Sequence, residues 1–401
     1  MDYNSTENWI LDRVPFYQTK GRDAYKPGLE NVKKFITKLN LSLNQLKFIH
    51  VGGTNGKGST CSYISSILQE SNYKVGIFTS PHFFDFRERI KINNKKISKS
   101  FISKFVDQHK DLIEKLGLSF FELSFGLSLN YFYKEKVDYA IIEVGLGGRL
   151  DATNIINPLI SVITNISYDH TEILGDTYEK IALEKAGIFK KNTKIIIGET
   201  NKKTDKIFIK KASEVLSPIH FILDNNEENV FSEIDYLNKN IKTAIKACRL
   251  LNPNNLSQNS INNGIERVNT NSSLIGRWTT IDDNPKVIFD AAHNEAGFIS
   301  IANELSKIPY KDIYIMLGFV KGKNIRKLIS HLPKESKLYF TSLNIERSMT
   351  MKDIESNLKG SIIFNQNPKK ILSEIKKVAC KDDLILITGS NFIAKKLFYE
   401  N

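Results

Sequence analysis

Residues 51–60 read VGGTNGKGST, and this glycine-rich stretch decides how the chain is expected to fold. It follows the apolar run 47–50 and precedes the amphipathic run 61–70, an order that predicts a strand, a turn and a helix. Backbone N–H groups at such a turn, together with the helix N-terminus, bind polyphosphate, and glycines permit the close approach. The stretch therefore predicts a phosphate-binding loop, although a glycine-rich tight turn without a ligand would carry the same residues.

The side chains of this loop suit a nucleotide that is bound with magnesium. Lys57 can reach the outer phosphates, and a hydroxyl from Ser59 or Thr60 can serve the ion–phosphate cluster. Gly58 separates the lysine from its hydroxyl, which departs from the common G-x-x-x-x-G-K-[ST] spacing. The loop is expected to contact ATP through Gly53, Thr54, Asn55, Gly56, Lys57, Gly58, Ser59 and Thr60.

Length and composition restrict the class of protein. The 401 residues suffice for two domains with large cores, and the three cysteines are scattered without metal spacing. Together with the polar N-terminus and the lack of a membrane-length apolar run, this predicts a cytoplasmic protein. The net charge of +13 would suit nucleic acid or polyanionic small substrates, but lysines spread along the chain favour a compositional bias. The sequence contains no nucleic-acid-binding module, and no nucleic acid or membrane partner is expected.

Apolar strands that alternate with longer helices predict an α/β protein with mainly parallel sheets. In the first part we expect strands at 74–80, 139–145, 160–167 and 194–199, helices at 101–116, 120–134, 178–188, 237–252 and 257–268, a hairpin at 89–97 and a loop at 223–229. The Asn/Ser-rich stretch 269–273 predicts a boundary between domains 1–273 and 274–401. Beyond it, strands at 286–290, 313–318, 337–341, 361–364 and 383–388 predict a smaller, doubly wound domain.

Polar residues stand at the carboxyl ends of the first domain's strands, where ligands of open α/β sheets gather. Ser80 ends one strand, Glu143 ends another and opens a glycine-rich turn, and His170 follows a third. An acidic residue in such a place, downstream of a phosphate loop, is a usual magnesium ligand. Glu143 is therefore the strongest candidate, whereas His170 taken alone has a structural role as an equal alternative.

An ordered set of motifs extends these observations to nearly the whole chain. The set comprises GTNGKGST (53–60), TSPH (79–82), FRERI (86–90), EVGLGGRLDATN (143–154), DHTEILGDT (169–177), IALEKAGI (181–188), GRW (276–278), AHN (292–294) and TGS (388–390). It closely resembles the bifunctional dihydrofolate synthase/folylpolyglutamate synthase family of the Mur ligase superfamily. The resemblance implies a P-loop-containing, mainly parallel-sheet domain for ATP and folate, followed by a smaller Rossmann-like domain for glutamate ligation.

The same resemblance implies roles for individual residues. Ser80, Glu143 and His170 are similar to magnesium ligands of the family, and Lys185 matches a lysine that members can carbamylate. Phe121, Asp151, Ala152 and Thr153 resemble positions that hold the pterin, Arg277 and Asp290 match nucleotide contacts, and His293 and Ser390 match residues that orient glutamate or close the site. The catalytic set implied in this way is Lys57, Glu143, His170, Lys185 and His293.

The activity implied is ATP- and Mg²⁺-dependent addition of L-glutamate to dihydropteroate, to tetrahydrofolate and its polyglutamates, or to both, through an acyl phosphate. A monomer is implied as well. A peptidoglycan Mur ligase is the nearest alternative, but only residues 1–50 precede the loop, too few for a separate UDP-sugar domain. From another class, a nucleotide switch is disfavoured because no guanine-reading N-K-x-D motif is evident, and a basic RNA-binding protein because no nucleic-acid-binding module is found. Two departures from the family pattern, Lys323-Asn324 in VKGKN and Ala291 before AHN, lie in the second domain.

Overall fold

Two mainly parallel sheets organise the chain, one in each of the compact units Met1–Leu274 and Ile275–Asn401. The structure is a computed structural model, and it describes residues 1–15, 27–223, 230–251, 253–343, 345–358 and 362–398. The predicted α/β class is confirmed. Of the loop predicted at 223–229, all but Leu223 lies outside the described residues.

The first unit contains an eight-stranded sheet. Its strands are β1 Phe48–Gly52, β2 Val75–Phe78, β3 Ile90–Ile92, β4 Lys95–Lys96, β5 Tyr139–Glu143, β6 Pro158–Ile163, β7 Lys194–Ile197 and β8 Ile219–Phe221. They lie in the order β4-β3-β2-β5-β1-β6-β7-β8; β3 pairs antiparallel with both β2 and β4, and all other neighbouring pairs are parallel. The strand that leads into the glycine-rich loop is therefore central.

Helices cover this sheet. They are α1 Tyr3–Arg13, α2 Glu30–Lys38, α3 Lys57–Glu70, α4 Lys99–Leu116, α5 Phe120–Lys134, α6 Thr171–Leu174, α7 Tyr178–Ala186, α8 Asp205–Glu214, α9 Asp235–Leu251, α10 Gln258–Glu266 and α11 Val268–Ser272. Every residue of β1 is buried, as expected for a parallel strand that is covered on both faces. No helix in the described ranges is long and apolar enough to cross a membrane.

The side chains of β1 alternate between two apolar cores. Phe48 packs in one core with residues of α2, α4 and α5, whereas Ile49 and Val51 pack in a second core with α3 and α9. This alternation follows from the two-residue period of a strand. His50 consequently shares the face of Phe48, between Ile142 of β5 and Ser161 of β6.

One predicted strand end and the predicted linker differ clearly from the structure. The strand predicted at 160–167 ends at Ile163, because the following residues bond to the glycine-rich loop: Asn165 O accepts from Thr54 N at 2.9 Å. The boundary stretch predicted at 269–273 is largely helical, as α11. There the Asn271 side chain donates to Ser66 Oγ and Glu70 Oε1 of α3, so a polar segment that reads as a linker is bound to the first unit.

The hairpin predicted at 89–97 is confirmed. It turns at Asn93 and Asn94, whose φ angles of +43° and +59° suit a tight two-residue turn. The hairpin also holds the end of the first unit: Lys91 Nζ donates to Ser272 O, and Asn94 Nδ2 donates to Thr270 O at 2.7 Å. Burial lowers the pKa of Lys91 to about 8.

The second unit contains a six-stranded sheet in the order β13-β12-β11-β14-β10-β9. Its strands are β9 Thr279–Asp283, β10 Lys286–Phe289, β11 Ile313–Leu317, β12 Lys337–Thr341, β13 Ile363–Asn365 and β14 Leu384–Thr388, and its helices are α12 Glu295–Leu305, α13 Ile325–Ile329, α14 Met351–Glu355, α15 Pro368–Val378 and α16 Phe392–Phe398. Strands β10 to β14 are parallel, as predicted. The antiparallel edge strand β9 was missed, since TTIDD has little apolar character.

Candidate active site

The glycine-rich loop joins the centre of the first sheet to helix α3. Gly53 and Gly56 have φ angles of +137° and +79°, in the left-handed region that favours glycine. A Cβ atom at Gly53 would meet the side chain of Thr164, and one at Gly56 would meet that of Asn240. Both glycines are therefore required by conformation and by close packing.

The first turn of α3 contains two buried hydroxyls. Ser59 and Thr60 are 0 % exposed, and neither Ser59 Oγ nor Thr60 Oγ1 has a hydrogen-bond partner among the described residues. Buried polar atoms without a partner are rare because they lose the hydrogen bonds that water would provide. Their place, directly after a loop with the spacing of a phosphate site, fits the binding of a phosphate–ion cluster.

The residues after β6 hold the loop in shape. Thr164 Oγ1 donates to Asn55 O at 2.6 Å, Asn165 Oδ1 accepts from Asn55 N at 3.0 Å, and Ser167 N donates to Thr54 Oγ1 at 3.0 Å. These positions were missed by sequence reasoning, which treated 160–167 as one strand. The segment Thr-Asn-Ile-Ser at 164–167 gave only a weak signal, since Asn and Ser are frequent at strand ends.

Two lysines converge on one carbonyl of the loop. Lys57 Nζ donates to Gly53 O at 3.2 Å and to Thr54 O at 3.0 Å, and Lys185 Nζ donates to Gly53 O at 2.8 Å. Lys185 is only 4 % exposed. Burial, followed by repulsion from Lys57, lowers the pKa of Lys185 to about 7, although the carboxylates of Asp169 and Asp151 oppose the shift. The structure thus brings two of the predicted catalytic residues together.

Glu143 lies beside the same helix turn. Its Oε2 accepts a hydrogen bond from Ser80 N at 2.9 Å, and a Cβ atom at Gly58 would lie 3.6 Å from the same oxygen. Arg89, also missed from the sequence, is buried: its Nε donates to His82 Nδ1 at 2.8 Å, and burial lowers its pKa to about 10, although Glu143 and Glu88 oppose the shift. Ser80 and Glu143, two of the predicted magnesium ligands, are therefore neighbours next to the loop.

His170, the third predicted magnesium ligand, precedes α6 with a φ angle of +49°. Its backbone N donates to Asp169 Oδ1 at 3.0 Å, and its Nε2 lies 4.0 Å from that oxygen. Within the described residues, no group of three or more His, Cys, Asp or Glu side chains could hold a metal ion. A metal ion beside the loop would therefore need hydroxyl, phosphate or water oxygens, which Mg²⁺ accepts readily.

Two of the predicted pterin residues lie together beside Gly145. A Cβ atom at Gly145 would lie 2.6 Å from Phe121 Cζ and 3.1 Å from Asp151 Oδ2. The Phe121 ring packs against Phe78, with ring centroids 5.5 Å apart. Asp151 is 5 % exposed, and burial raises the pKa of its carboxyl group. An aromatic ring and a buried carboxylate thus lie side by side at one glycine.

Ala152 and Thr153, the other two predicted pterin residues, are buried in the short 3-10 turn Ala152–Ile155. The Thr153 side chain donates to Asp151 Oδ1 and contacts His50 Nε2 at 2.8 Å. The hydroxyl of Thr153 is therefore already hydrogen-bonded to two side chains of the protein. Among these residues, Phe121 and Asp151 are the ones that the structure brings to one place beside Gly145.

In the second unit, Asp290 follows β10 and binds the backbone around it. Its Oδ2 accepts from Trp278 N and its Oδ1 from Ala292 N, each at 2.9 Å. Arg277, beside Trp278, donates from Nη1 to Gly276 O at 2.7 Å. The carboxylate of Asp290 thus fixes the turn that carries Arg277, and the two predicted nucleotide residues lie on adjoining segments.

His293 and Ser390 lie on two loops that are bonded to each other. Gly389 N donates to Ala292 O at 3.0 Å, which joins the loop after β14 to the loop after β10. His293 is exposed and its Nδ1 contacts Ala291 O at 3.0 Å, whereas Ser390 is buried and its Oγ accepts from Phe392 N at 3.2 Å. Asn294 follows and caps helix α12.

Comparison with protein families agrees with this arrangement. Residues 51–260 match the model of the Mur ligase middle domain, and residues 276–391 match that of the Mur ligase, glutamate ligase domain. The two matches follow the two sheets of the structure. They place the chain in the class of ATP-dependent Mur-type ligases.

Individual relatives narrow this class. The chain is 30 % identical to dihydrofolate synthase/folylpolyglutamate synthase of Bacillus subtilis, over 97 % of this chain and 96 % of that protein. It is 26 % identical to Escherichia coli FolC in complex with DHPP and ADP, with a TM-score of 0.83 over 98 % of this chain and 96 % of the other. It is also 26 % identical to a bifunctional folylpolyglutamate synthase/dihydrofolate synthase with Mn, AMPPNP and L-glutamate bound. The TM-score for this pair is 0.85, and the match covers 98 % of each chain.

These matches decide the family. The chain belongs to the dihydrofolate synthase/folylpolyglutamate synthase family of Mur ligases, and it is an ATP-dependent glutamate ligase. The resemblance inferred from the ordered motifs is thereby confirmed.

Proposed function

We propose that this ligase joins L-glutamate to dihydropteroate, to tetrahydrofolate and its polyglutamates, or to both, by first phosphorylating the acceptor carboxylate with ATP. A carboxylate is a poor electrophile, so it must be activated before an amine can attack it. The acyl phosphate formed in this way would react with the α-amino group of glutamate and release phosphate. The relatives crystallised with DHPP, ADP, AMPPNP and L-glutamate support this choice of substrates.

In this proposal the glycine-rich loop holds the ATP phosphates. The backbone of residues 53–60 supplies N–H groups, and Lys57 exchanges its bonds to Gly53 O and Thr54 O for phosphate oxygens. Its charge would compensate the negative charge that phosphoryl transfer spreads over the equatorial oxygens. Asn165 and Thr164 keep the loop in the required shape.

Ser59, Ser80, Glu143 and His170 are proposed to hold Mg²⁺, with Thr60 beside them. The buried hydroxyl of Ser59 and the carboxylate of Glu143 are hard oxygen donors of the kind that Mg²⁺ prefers. When bound, the ion would neutralise phosphate charge. Lys185 is proposed to react as a neutral amine with CO₂, because a carbamate would supply a further anion near Asp169 and the loop.

Phe121 and Asp151 are proposed to bind the pterin, the ring by stacking and the carboxylate by accepting hydrogen bonds from ring nitrogens. Ala152 and Thr153 would hold Asp151 in position, Thr153 through its hydrogen bonds to Asp151 Oδ1. In the second unit, Arg277 and Asp290 are proposed to serve the nucleotide, and His293 and Ser390 to orient glutamate. The predictions of a monomer and of a cytoplasmic setting remain predictions.

The observation that carries the proposal is the pair of buried hydroxyls without partners next to Lys57. Ser59→Ala should lower ligation at least about tenfold, since a charge-assisted contact in the transition state is lost. Ser66→Ala is the matched control: it is buried on the same helix, and its Oγ accepts from Asn271. Comparable losses in both variants would contradict a phosphate role for Ser59.

Substrate choice is tested with purified protein, ATP and glutamate, offering dihydropteroate and tetrahydrofolate in parallel and resolving the products by mass. We expect a mass increase of one glutamate on at least one of the two acceptors. ATP turnover that depends on neither acceptor would contradict the proposal.

A Glu143→Gln variant should need more Mg²⁺ for half-maximal activity, and an unchanged Mg²⁺ titration would place the ion elsewhere.

A further inference from the structure

His50 is a buried imidazole that the site described above does not use. It lies in the middle of β1, three residues before Gly53 of the glycine-rich loop, and it is 0 % exposed. Its Nε2 lies 2.8 Å from Thr153 Oγ1, a residue 103 positions further along the chain. The contact links the central strand to the loop that carries Asp151.

The direction of the hydrogen bonds in this link can be worked out. Thr153 Oγ1 donates its single proton to Asp151 Oδ1, so the hydroxyl can only accept from His50. His50 must therefore carry its proton on Nε2. Burial, followed by the nearby charge of Lys190, lowers the pKa of His50 to about 3, so the ring is neutral near pH 7.

The link ends on a carboxylate that is held on both oxygens. Asp151 Oδ1 accepts from Thr153 N at 3.0 Å as well as from the Thr153 hydroxyl, and Oδ2 accepts from Leu146 N at 2.9 Å. In each of these hydrogen bonds an N–H or O–H group donates to the Asp151 carboxylate. Such bonds favour the ionised form of Asp151 and oppose the effect of burial on its pKa. Oδ2 is also the oxygen that lies beside Gly145 and, with it, Phe121.

We propose that His50 is a positioning residue for the acceptor substrate: its Nε2–H fixes the Thr153 hydroxyl, which in turn fixes the Asp151 carboxylate toward the pterin-binding surface. The inference rests on the proposed role of Asp151. It assigns to the strand before the loop a part in substrate recognition that is separate from the binding of phosphate.

The chemistry of the site argues against a packing role alone. His50 Nδ1 is buried and has no hydrogen-bond partner among the described residues, so an apolar residue of similar size would be the more stable choice for packing. Its neighbours in β1, Ile49 and Val51, are apolar and fully buried. What imidazole adds at this position is the Nε2–H that Thr153 accepts.

The test compares His50→Leu, which removes the donor, with His50→Gln, whose amide N–H can reach a similar point. Steady-state KM values are measured for dihydropteroate or tetrahydrofolate and, separately, for ATP. His50→Leu should raise the KM of the acceptor roughly tenfold, the size expected for a lost buried hydrogen bond, while the KM of ATP and kcat change less than about twofold. His50→Gln should recover most of the loss.

A double-mutant cycle with Thr153→Val sharpens the test, and Thr153→Ser, which keeps the hydroxyl, is its control. If the two side chains act through one link, His50→Leu adds little to the effect of Thr153→Val. Additive effects, an equal rise in the KM of ATP, or an unchanged KM of the acceptor would overturn the inference. Should His50→Leu fail to fold, His50→Phe, which also removes the N–H donor, takes its place in the same comparison and cycle.

Asp151→Asn separates this inference from the proposed function. If Asp151→Asn raises the acceptor KM while His50→Leu and Thr153→Val do not, the link from His50 is wrong and the role of Asp151 stands. If Asp151→Asn leaves the acceptor KM unchanged, the pterin role of Asp151 fails and the inference fails with it.

Discussion

The two sheets each end in a cluster of polar residues, but the clusters are built differently. At the carboxyl edge of the first sheet, Lys57, Lys185 and Glu143 are ionisable side chains at or near the glycine-rich loop, and Lys185 and Glu143 are almost fully buried. At the carboxyl edge of the second sheet, Asp290 and Ser390 are satisfied by backbone N–H groups. The first cluster contains a buried amine with a lowered pKa and adjoins the hydroxyls of Ser59 and Thr60, which have no partner among the described residues, whereas the side-chain oxygens of Asp290 and Ser390 accept hydrogen bonds from backbone N–H groups.

This difference indicates how the two edges contribute. Buried groups with perturbed pKa values and unpartnered hydroxyls are costly for folding, and such costs concentrate where charge changes during a reaction. Backbone-satisfied side chains, in contrast, give a loop a fixed shape. Substitutions in the first cluster should therefore change activity more than stability, and those in the second should change stability first.

Lys57→Ala gives the largest expected effect. Removing this charge from the loop should lower kcat about a hundredfold or more, on the order of 3 kcal/mol of transition-state stabilisation. Stability should change little, since Lys57 is only partly buried. Steady-state ligation assays and urea unfolding measure the two quantities, and wild-type turnover in this variant would remove the loop from catalysis.

Gly53→Ala and Gly322→Ala compare two glycines with positive φ angles, +137° and +87°. A Cβ at Gly53 would meet the Thr164 side chain, while nothing lies within 4 Å of one at Gly322. Gly53→Ala should lower the free energy of unfolding by about 2–3 kcal/mol, and Gly322→Ala by about 1 kcal/mol from backbone strain alone. Equal losses would mean that the close approach to Thr164 is unimportant.

Asp290→Asn probes the second cluster. The amide keeps the shape but turns an NH₂ group toward either Trp278 N or Ala292 N, so one partly buried donor loses its acceptor. The free energy of unfolding should fall by about 2 kcal/mol. Chemical denaturation of the full chain measures this loss, and Asp282→Asn, at a residue near the surface that pairs with Lys376, is the control that should change little.

Lys185→Met tests the buried amine through pH. The pKa of Lys185 is about 7 in the folded protein against an ordinary 10.5, so between these values the unfolded chain binds a proton that the folded chain does not. Wild-type stability relative to Lys185→Met should therefore rise with pH above about 7, by at most ~1.4 kcal/mol per pH unit, and stay constant below it. Unfolding in CO₂-free buffers across this range checks the slope; a flat difference would indicate an amine with an ordinary pKa.

The sequence was sufficient to predict the buried apolar strands and the turns with characteristic residues. The strands before the glycine-rich loop and before Glu143 are apolar runs, and the turn at Asn93 and Asn94 has a local chemical reason. Edge strand β9 was missed because its residues are half exposed and polar, and its pairing with β10 depends on a neighbour. The prediction extended strand β6 too far, because the sequence does not show that the backbone of residues after Ile163 bonds to the glycine-rich loop instead of to a neighbouring strand.

Within the site, motifs identified residues but not their surroundings. Lys185 reads as an ordinary helix lysine, and its burial follows only from the packing of α7 beneath the loop. Asn165 acts through a contact with Asn55, 110 positions away, and Arg89 interacts with the charge of the distant Glu143, which local patterns do not show. The same holds for His50, whose place in an apolar strand conceals a hydrogen bond to a distant threonine.

The hairpin β3–β4 determines where the first unit can be cut. Because Lys91 donates to Ser272 O from a buried position, a shortened chain that stopped before residue 272 would leave an ammonium group inside the protein without its acceptor. Asn94 Nδ2 would lose Ser273 Oγ in the same truncation, and Thr270 O in one that stopped before residue 270. We therefore expect that a fragment able to fold alone must extend through Leu274. The Asn/Ser-rich stretch 269–273, whose sequence resembles a linker, would then be part of the folded first unit.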